Sequence, residues 1–362
     1  MSDIKQVTFE AIAIKGDVAY ASDFYRNGLF KVNMNSGECE FVKLFDGELV
    51  NKKRLHCAAI WEGSKIYFLP ASADRITIYC PDDNSIETVE IPLPKPKQYA
   101  FYRAQIKFIR VIKKEDDLWL VPSTYPGIIK FNMVTKSIQI FDGWVKEEEY
   151  LFRLGVYFDD DKIIAANGNN NLVLIFDMKK QTGQTVRIGN KNNGVMGICK
   201  VKGEYWFAPR IPGAIIVWNP INNNVIEYDE FPEGCEEDAM IFCSVYSFED
   251  KVVFVPSKPK CGLIYSDGRF QLDNSIRTRF GLGVIEYLFE TDLGRFYKIV
   301  EGLNKIKYFE ISKIDNKVKE HQFYCNDNGE RDRCMLQVMS EQREIVKETA
   351  HIGLKEIING LV

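Results

Sequence analysis

The chain has 362 residues, of which 46% are hydrophobic and 27% charged, and its formal net charge is −4. This composition is ordinary for a globular protein, and the acidic balance argues against general nucleic-acid binding. No apolar stretch approaches the roughly 18 residues of a membrane helix, and the first residues lack the basic segment and apolar run of a signal peptide.

One short pattern recurs along the chain. Its anchors are Tyr20, Tyr67, Trp119, Ile164, Trp206, Val253 and Tyr297, separated by 47, 52, 45, 42, 47 and 44 residues. Three residues after them stand Asp23, Pro70, Pro122, Asn167, Pro209, Pro256 and Val300. Six of these seven are turn-forming residue types, so each anchor is predicted to lie in a strand that ends there.

Three further strands surround each anchor strand. A first strand precedes it, as in "CAAIWEG" and "LGVYFDD". A third follows the turn and ends in an aromatic residue, as in "LVLIFDM" and "AIIVWNP", and a fourth closes the unit, as in "IETVEIP" and "VIEYDEF". The repeat therefore predicts units of four short antiparallel strands, each about 46 residues long.

Such a unit cannot bury both of its faces alone, whereas units arranged around a channel can. We therefore predict an all-β fold, a seven-bladed β-propeller with four antiparallel strands per blade, over residues 1–325. The weak fourth strand "RFQLDN" of the sixth unit leaves six or eight blades open. Residues 1–10 are expected to pair with the last blade, because closure removes an exposed sheet edge.

The strand–turn–strand pattern with its aromatic–Asn/Asp ending resembles the broad propeller class of Kelch, WD-repeat and streptogramin-lyase-like proteins. The Trp-Asp dipeptide of WD repeats and the double glycine of Kelch repeats do not close these units. The resemblance covers about 320 residues and implies the fold without implying a specific family or a function.

The end of the chain has a different pattern. Residues 326–335 are polar and predict a linker, and Ser340 is a candidate N-cap of a C-terminal helix. One face of this helix would carry the apolar residues Val346, Ala350, Leu354, Ile357, Ile358 and Leu361. We therefore predict a second segment, 326–362, whose helix either docks on the propeller or binds a partner.

The nine cysteines are scattered, and none forms a C-x-x-C pair. This pattern favours free thiols in the reducing cytoplasm over a disulfide framework or a zinc site. No cofactor and no metal site is predicted, because the three histidines are spread along the chain and no phosphate-binding glycine loop is visible.

Cationic residues recur in the loops expected at the channel mouth. Arg54, Arg103, Arg153 and Arg279 lie just before or at the first strands of four units, and Arg210 follows a second strand. Guanidinium groups around a concave mouth would bind carboxylate, phosphate or sulfate, and Tyr102 and Tyr150 could stack on a sugar or a peptide. Acidic residues in the same loops leave open a bipolar mouth or simple ion pairs.

Two functions follow from these patterns. The first is a non-catalytic binding or scaffold propeller that holds an anionic, glycan-like or peptide ligand at the mouth. The alternative is a lyase or hydrolase acting on a carboxylated or sugar substrate, with His56 as general base. The expected partner is a small ligand or a segment of a protein, rather than nucleic acid or a membrane, and the oligomeric state stays open.

Overall fold

The structure is a computed structural model, and it describes residues 5–49, 52–93, 106–145, 152–190, 194–210, 213–233, 242–248, 250–256, 262–273, 283–290, 294–301, 306–312 and 318–325. These residues form strands, turns and loops and contain no helix. The linker and helix predicted for residues 326–362 lie outside the described residues, and the boundary at residue 325 stays a prediction.

The strands of the described chain form sheets that we number in chain order. Sheet 1 contains β1 (Lys5–Gln6), β2 (Phe9–Lys15), β3 (Val18–Asp23), β4 (Leu29–Asn33), β5 (Glu38–Lys43) and β30 (Tyr324–Cys325). Sheet 2 contains β6 (His56–Glu62), β7 (Lys65–Pro70), β8 (Arg75–Cys80) and β9 (Ser85–Glu90). Together these two sheets belong to one compact unit of the chain.

A second compact unit, residues 91–321, holds five further sheets. Sheet 3 contains β10 (Phe108–Lys114), β11 (Asp117–Pro122), β12 (Ile128–Asn132) and β13 (Ile138–Phe141), and sheet 4 contains β14 (Phe152–Asp159), β15 (Lys162–Asn167), β16 (Leu172–Asp177) and β17 (Thr182–Arg187). Sheet 5 contains β18 (Val195–Val201), β19 (Glu204–Pro209), β20 (Ile215–Asn219) and β21 (Asn224–Tyr228), and sheet 6 contains β22 (Phe242–Phe248), β23 (Lys251–Pro256), β24 (Gly262–Ser266) and β25 (Arg269–Asp273). Sheet 7 contains β26 (Gly283–Glu290), β27 (Gly294–Glu301), β28 (Ile306–Ser312) and β29 (Val318–His321).

The four-stranded antiparallel unit predicted from the repeat is confirmed for six sheets of the described chain. The remaining one, sheet 1, has six strands in the order β1-β30-β5-β4-β3-β2, which differs from the expected four. The anchors of the repeat lie in the second strands, as predicted. Trp206, for example, is the third residue of β19, and Pro209 is its last.

The second strands are the most buried part of sheets 2, 3 and 5. In β7, β11 and β19, every residue after the first is buried, whereas the fourth strands β9 and β21 are largely exposed or half-buried. The apolar side chains of these strands are therefore packed rather than exposed to water. Each large apolar side chain that is buried stabilises the fold by about 1.5–3 kcal/mol.

The hydrophobic clusters lie between neighbouring sheets within each unit. One cluster joins Phe68 of sheet 2 to Tyr20 of sheet 1, and another joins Trp206 of sheet 5 to Phe254 of sheet 6. The backbones of sheets 5 and 6 approach closely at Gly197 of β18, where an added Cβ would lie 2.8 Å from the Val245 amide nitrogen of β22.

The end of the described chain completes sheet 1. β1 pairs antiparallel with β30, and β30 pairs in parallel with β5. Residues 1–10 were expected to pair with the last blade, and within the described chain β1 pairs with the two-residue strand β30, which follows sheet 7 in sequence. Phe9 and Phe323 pack with ring centroids 5.5 Å apart beside this pairing.

Gly37 makes room for the returning chain, which gives a test of this closure. Its φ is +75°, and an added Cβ would lie 2.1 Å from the Gln322 carbonyl oxygen. Gly16 has a similar φ of +61° and open space around it. In urea unfolding, Gly37→Ala should lower the free energy of unfolding by about 1–3 kcal/mol more than Gly16→Ala does. Both substitutions strain the backbone, but only the methyl group at position 37 also clashes with the returning chain. Equal losses would contradict the docking of β30.

Candidate functional site

Backbone hydrogen bonds join neighbouring sheets at the edge where first strands begin and second strands end, which we call the loop edge. In the first unit, the Arg54 amide, just before β6 of sheet 2, donates to the Phe24 carbonyl of sheet 1 at 2.8 Å, and within sheet 2 the Ser72 amide donates to the Arg54 carbonyl at 3.0 Å. In the second unit, the Phe152 amide donates to the Ser123 carbonyl at 3.0 Å. The described loop residues at this edge, such as Arg54 and Phe152, are therefore held against the neighbouring sheet.

Arg54 is the predicted site residue that the structure describes best. Its φ is 53°, in the left-handed region that is uncommon for residues other than glycine. Its Nη2 donates to Glu10 Oε1 at 2.8 Å, and its guanidinium carbon lies 5.5 Å from the centre of the Phe24 ring. The Glu10 side chain is 4% exposed and that of Arg54 is 38% exposed, so a buried carboxylate and an aromatic face orient a cation that solvent still reaches.

A second group of charges lies close by in the same loops. The Glu48 carboxylate is buried, accepts from Lys52 Nζ at 3.0 Å, and accepts from the Asp74 amide at 2.6 Å. Lys52 also donates to Asp74 Oδ2 at 2.7 Å. With Arg54 and Glu10, these residues carry two positive and three negative charges, so the loop edge of the first unit is bipolar rather than purely cationic.

His56 is the first residue of β6 and is fully buried at 0% exposure. Its Nδ1 lies 2.9 Å from Ser22 Oγ in a hydrogen bond, and its ring packs against Phe45 and Phe68 at centroid distances of 4.4 Å and 5.4 Å. Its Nε2 is buried and has no hydrogen-bond partner among the described residues. Burial, with a smaller contribution from the charge of Lys52, lowers the pKa of His56 to about 3.

The repeat explains why His56 is buried. His56 pairs with Pro70 just before a register shift in the ladder, and the residues in the same place in four other sheets are Phe9, Phe108, Phe152 and Phe242. All four phenylalanines are at most 1% exposed. His56 thus occupies a core position of the repeat, and aligning the first strands rather than the second strands alone would have revealed it.

Arg210 is the described member of the predicted set in the second unit. It follows β19, and its Nη1 donates to the Gly168 carbonyl at 2.9 Å and to Asn169 Oδ1 at 2.6 Å. Its amide donates to the Gly194 carbonyl at 3.0 Å. Arg210 therefore joins the loop edge of sheet 5 to that of sheet 4.

The remaining predicted residues are described in part or not at all. Arg103, Tyr102, Tyr150 and Arg279 lie outside the described residues, and of Arg153 only the backbone position in β14 is described. In the register of the repeat, Arg54 stands two residues before His56, whereas Arg153 stands one residue after the equivalent Phe152. These two arginines therefore occupy different positions in their sheets, and their meeting at one mouth stays a prediction.

Within the described ranges, no three His, Cys, Asp or Glu side chains come together where they could hold a metal ion. In the same part of the chain, no helix is long and apolar enough to span a membrane.

Comparisons with known proteins identify a fold class. No protein-family model matches the chain, and no curated protein matches it. Among solved structures, virginiamycin B lyase from Staphylococcus aureus has a TM-score of 0.54 at 13% identity, covering 84% of this chain and 97% of the lyase. A chain of the mitotic checkpoint complex has a TM-score of 0.51 at 12% identity, covering 86% of this chain and 91% of its own length. BamB from Moraxella catarrhalis has a TM-score of 0.50 at 11% identity, covering 88% of this chain and 86% of BamB.

These similarities and the four-stranded antiparallel sheets place the fold in the broad β-propeller class, with streptogramin-lyase-like and BamB-like propellers as neighbours. The resemblance stated from the repeat is therefore confirmed, and it names no specific family. At this level of identity the comparisons show the fold alone.

The burial of His56 predicts a pH dependence of stability. In the unfolded chain it titrates near its ordinary value of 6.5, and in the folded chain at about 3. The folded state disfavours protonation of His56. The contribution of the neutral histidine to the free energy of unfolding is therefore complete above pH 6.5 and is lost as the pH falls toward 3. His56→Phe, which places the residue of the equivalent strands here, should remove this loss.

Urea unfolding of both proteins between pH 7.5 and pH 4.5 measures the effect. Below pH 6.5, the stability of the wild type relative to His56→Phe should fall by about 1.4 kcal/mol per pH unit. Parallel profiles for the two proteins would show that the histidine takes up its proton equally well in the folded state.

Proposed function

We propose that this protein is a non-catalytic binding propeller, located in the cytoplasm, with seven blades whose loop edges form one ligand-binding mouth. The ligand carries an anionic group, on a small molecule, a glycan or a segment of a partner protein. Arg54, Arg103, Arg153, Arg210 and Arg279 supply the cations in this proposal, and Tyr102 and Tyr150 supply stacking surfaces.

The observation that carries the proposal is the state of Arg54. Glu10 and Phe24 hold its guanidinium in one orientation, and 38% of the side chain still faces solvent. An oriented and partly desolvated cation loses less conformational entropy when it binds an anion than a mobile surface arginine does. The pairing with Glu10 also weakens the net field, so a bound anion requires additional cations such as those on the other loops.

The alternative function, a lyase or hydrolase with His56 as base, is less well supported. A general base must reach the proton that it removes, and His56 is enclosed by Phe45, Phe68 and Ser22. A histidine with a pKa of about 3 is also a poor proton acceptor near neutral pH. The comparisons include both a lyase and proteins of other kinds, so they favour neither function.

The binding proposal is tested with phosphate, sulfate, citrate and glucuronate as probes in titration calorimetry. Arg54→Asn suits this test, because asparagine tolerates the left-handed φ of this position. It should weaken binding of the best probe about tenfold, which corresponds to about 1.4 kcal/mol. The double variant Arg103→Ala/Arg153→Ala should abolish binding and keep the fold.

Lys65→Gln is the matched control, because it removes one positive charge at the opposite end of the strands of sheet 2. It should bind like the wild type. Equal affinity of Arg54→Asn, Lys65→Gln and the wild type, or no binding of any probe, would contradict the proposal.

A further inference from the structure

The edge opposite to the loop edge, where first strands end and second strands begin, is filled between several neighbouring sheets. Between sheets 1 and 2, Lys15 at the end of β2 places its Nζ 5.3 Å from the centre of the Trp61 ring of β6. Between sheets 3 and 4, Lys114 at the end of β10 forms a salt bridge with Asp161. Long side chains therefore close the gap between these sheets.

Sheets 4 and 5 fill the same gap with a hydrogen-bonded cluster. Asp159, at the end of β14, accepts hydrogen bonds from Lys200 Nζ at 2.7 Å and from the Tyr205 hydroxyl. Lys200 also lies 5.4 Å from the centre of the Tyr205 ring. The charged pair and the aromatic ring therefore occupy this part of the interface.

At the three corresponding places, sheets 5 and 6 carry two valines and a serine in place of the aspartate, lysine and tyrosine. Val201 ends β18 as Asp159 ends β14, and the pair Ser247–Val252 in the register of sheet 6 corresponds to Lys200–Tyr205 in sheet 5. A groove of about 670 Å³ opens here. This volume lies within the ~300–1,000 Å³ of small-molecule sites in proteins.

Aromatic rings form one wall of this groove. Trp206 and Tyr228 stack with an interplanar angle of 7° and centroids 6.0 Å apart, and Tyr265 packs against Trp206 at 4.6 Å. The Tyr228 and Tyr265 hydroxyls lie 3.3 Å apart. Burial raises the pKa of Tyr228 to about 12, so its hydroxyl is neutral at neutral pH.

Charged side chains surround the wall without a positive excess. Lys202 and Asp250 form a salt bridge at 3.2 Å, and Glu204, Lys251 and Asp267 also line the groove. Two cations face three carboxylates, which disfavours an anionic ligand. The carboxylates and tyrosine hydroxyls are suited to hydrogen-bond the hydroxyl groups of a neutral ligand.

We propose that the groove between sheets 5 and 6 is a binding site for a neutral oligosaccharide. The apolar C–H face of a sugar ring packs against an aromatic face, whose π electrons attract its slightly positive hydrogens. The ring hydroxyls then meet the carboxylates and tyrosine hydroxyls at the rim. The site lies at the start of β19, whereas Arg210 follows the other end of that strand, so it is separate from the proposed mouth.

The cluster between sheets 4 and 5 can be copied into the groove to close it. Val201→Asp, Ser247→Lys and Val252→Tyr together rebuild, between sheets 5 and 6, the cluster that fills the gap between sheets 4 and 5. Val134→Ser is the control, because Val134 is 69% exposed in a turn of sheet 3. Maltotriose, cellotriose, mannotriose and chitotriose are the probes, and titration calorimetry measures their affinity.

At least one of these trisaccharides should bind the wild type and Val134→Ser with equal affinity. Its affinity for the triple variant should be at least tenfold lower. If the triple variant fails to fold, Tyr228→Leu gives the same test, because it keeps an apolar side chain and removes the ring face. The proposal is overturned if none of the four sugars binds or if closing the groove leaves their affinity unchanged. Binding of a tetra-arginine peptide in their place would overturn it as well.

Discussion

The fold depends on one constraint, which is that the described second strands are buried by packing against neighbouring sheets of the same unit. The second strands β7, β11 and β19 are buried from their second residue onward, and the apolar clusters join residues of adjacent sheets rather than residues of one sheet. Hydrophobic burial is the dominant favourable contribution to folding, so a sheet separated from its neighbours would lose most of its stabilisation. The same packing fixes the loops at one edge and determines how much space remains at the other.

The contrast between His56 and Arg54 shows how this constraint determines chemistry. Only Leu55 stands between them in sequence, yet His56 begins the strand and is enclosed by aromatic rings, whereas Arg54 precedes the strand and keeps a partly exposed side chain. A histidine that replaces a core phenylalanine of the repeat contributes packing and one hydrogen bond to Ser22. Arg54, held by the buried Glu10, keeps 38% of its side chain exposed to solvent.

The sequence predicted the strands well, because turn-forming residues such as Pro70 and Pro209 end the second strands where the repeat places them. It predicted the site poorly, because a one-residue shift in a strand changes which side chains are buried. Arg54 and Arg153 appeared equivalent in sequence, and the ladder register separates them. The groove between sheets 5 and 6 had no sequence signal, since it is lined by residues of two sheets, such as Val201 and Val252, that are distant in the chain and come together only when the sheets pack.

The most direct measurement of the central constraint uses Gly197, where β18 and β22 approach each other. A methyl group there would lie 2.8 Å from the Val245 amide nitrogen and 3.1 Å from the Ser244 carbonyl carbon, whereas one at Gly143 has nothing within 4 Å. In urea unfolding, Gly197→Ala should lower the free energy of unfolding by about 1–3 kcal/mol, because overpacked interfaces lose about that much, and Gly143→Ala should stay close to the wild type. Equal stability of Gly197→Ala and Gly143→Ala would contradict the close packing of sheets 5 and 6, on which both the buried second strands and the groove depend.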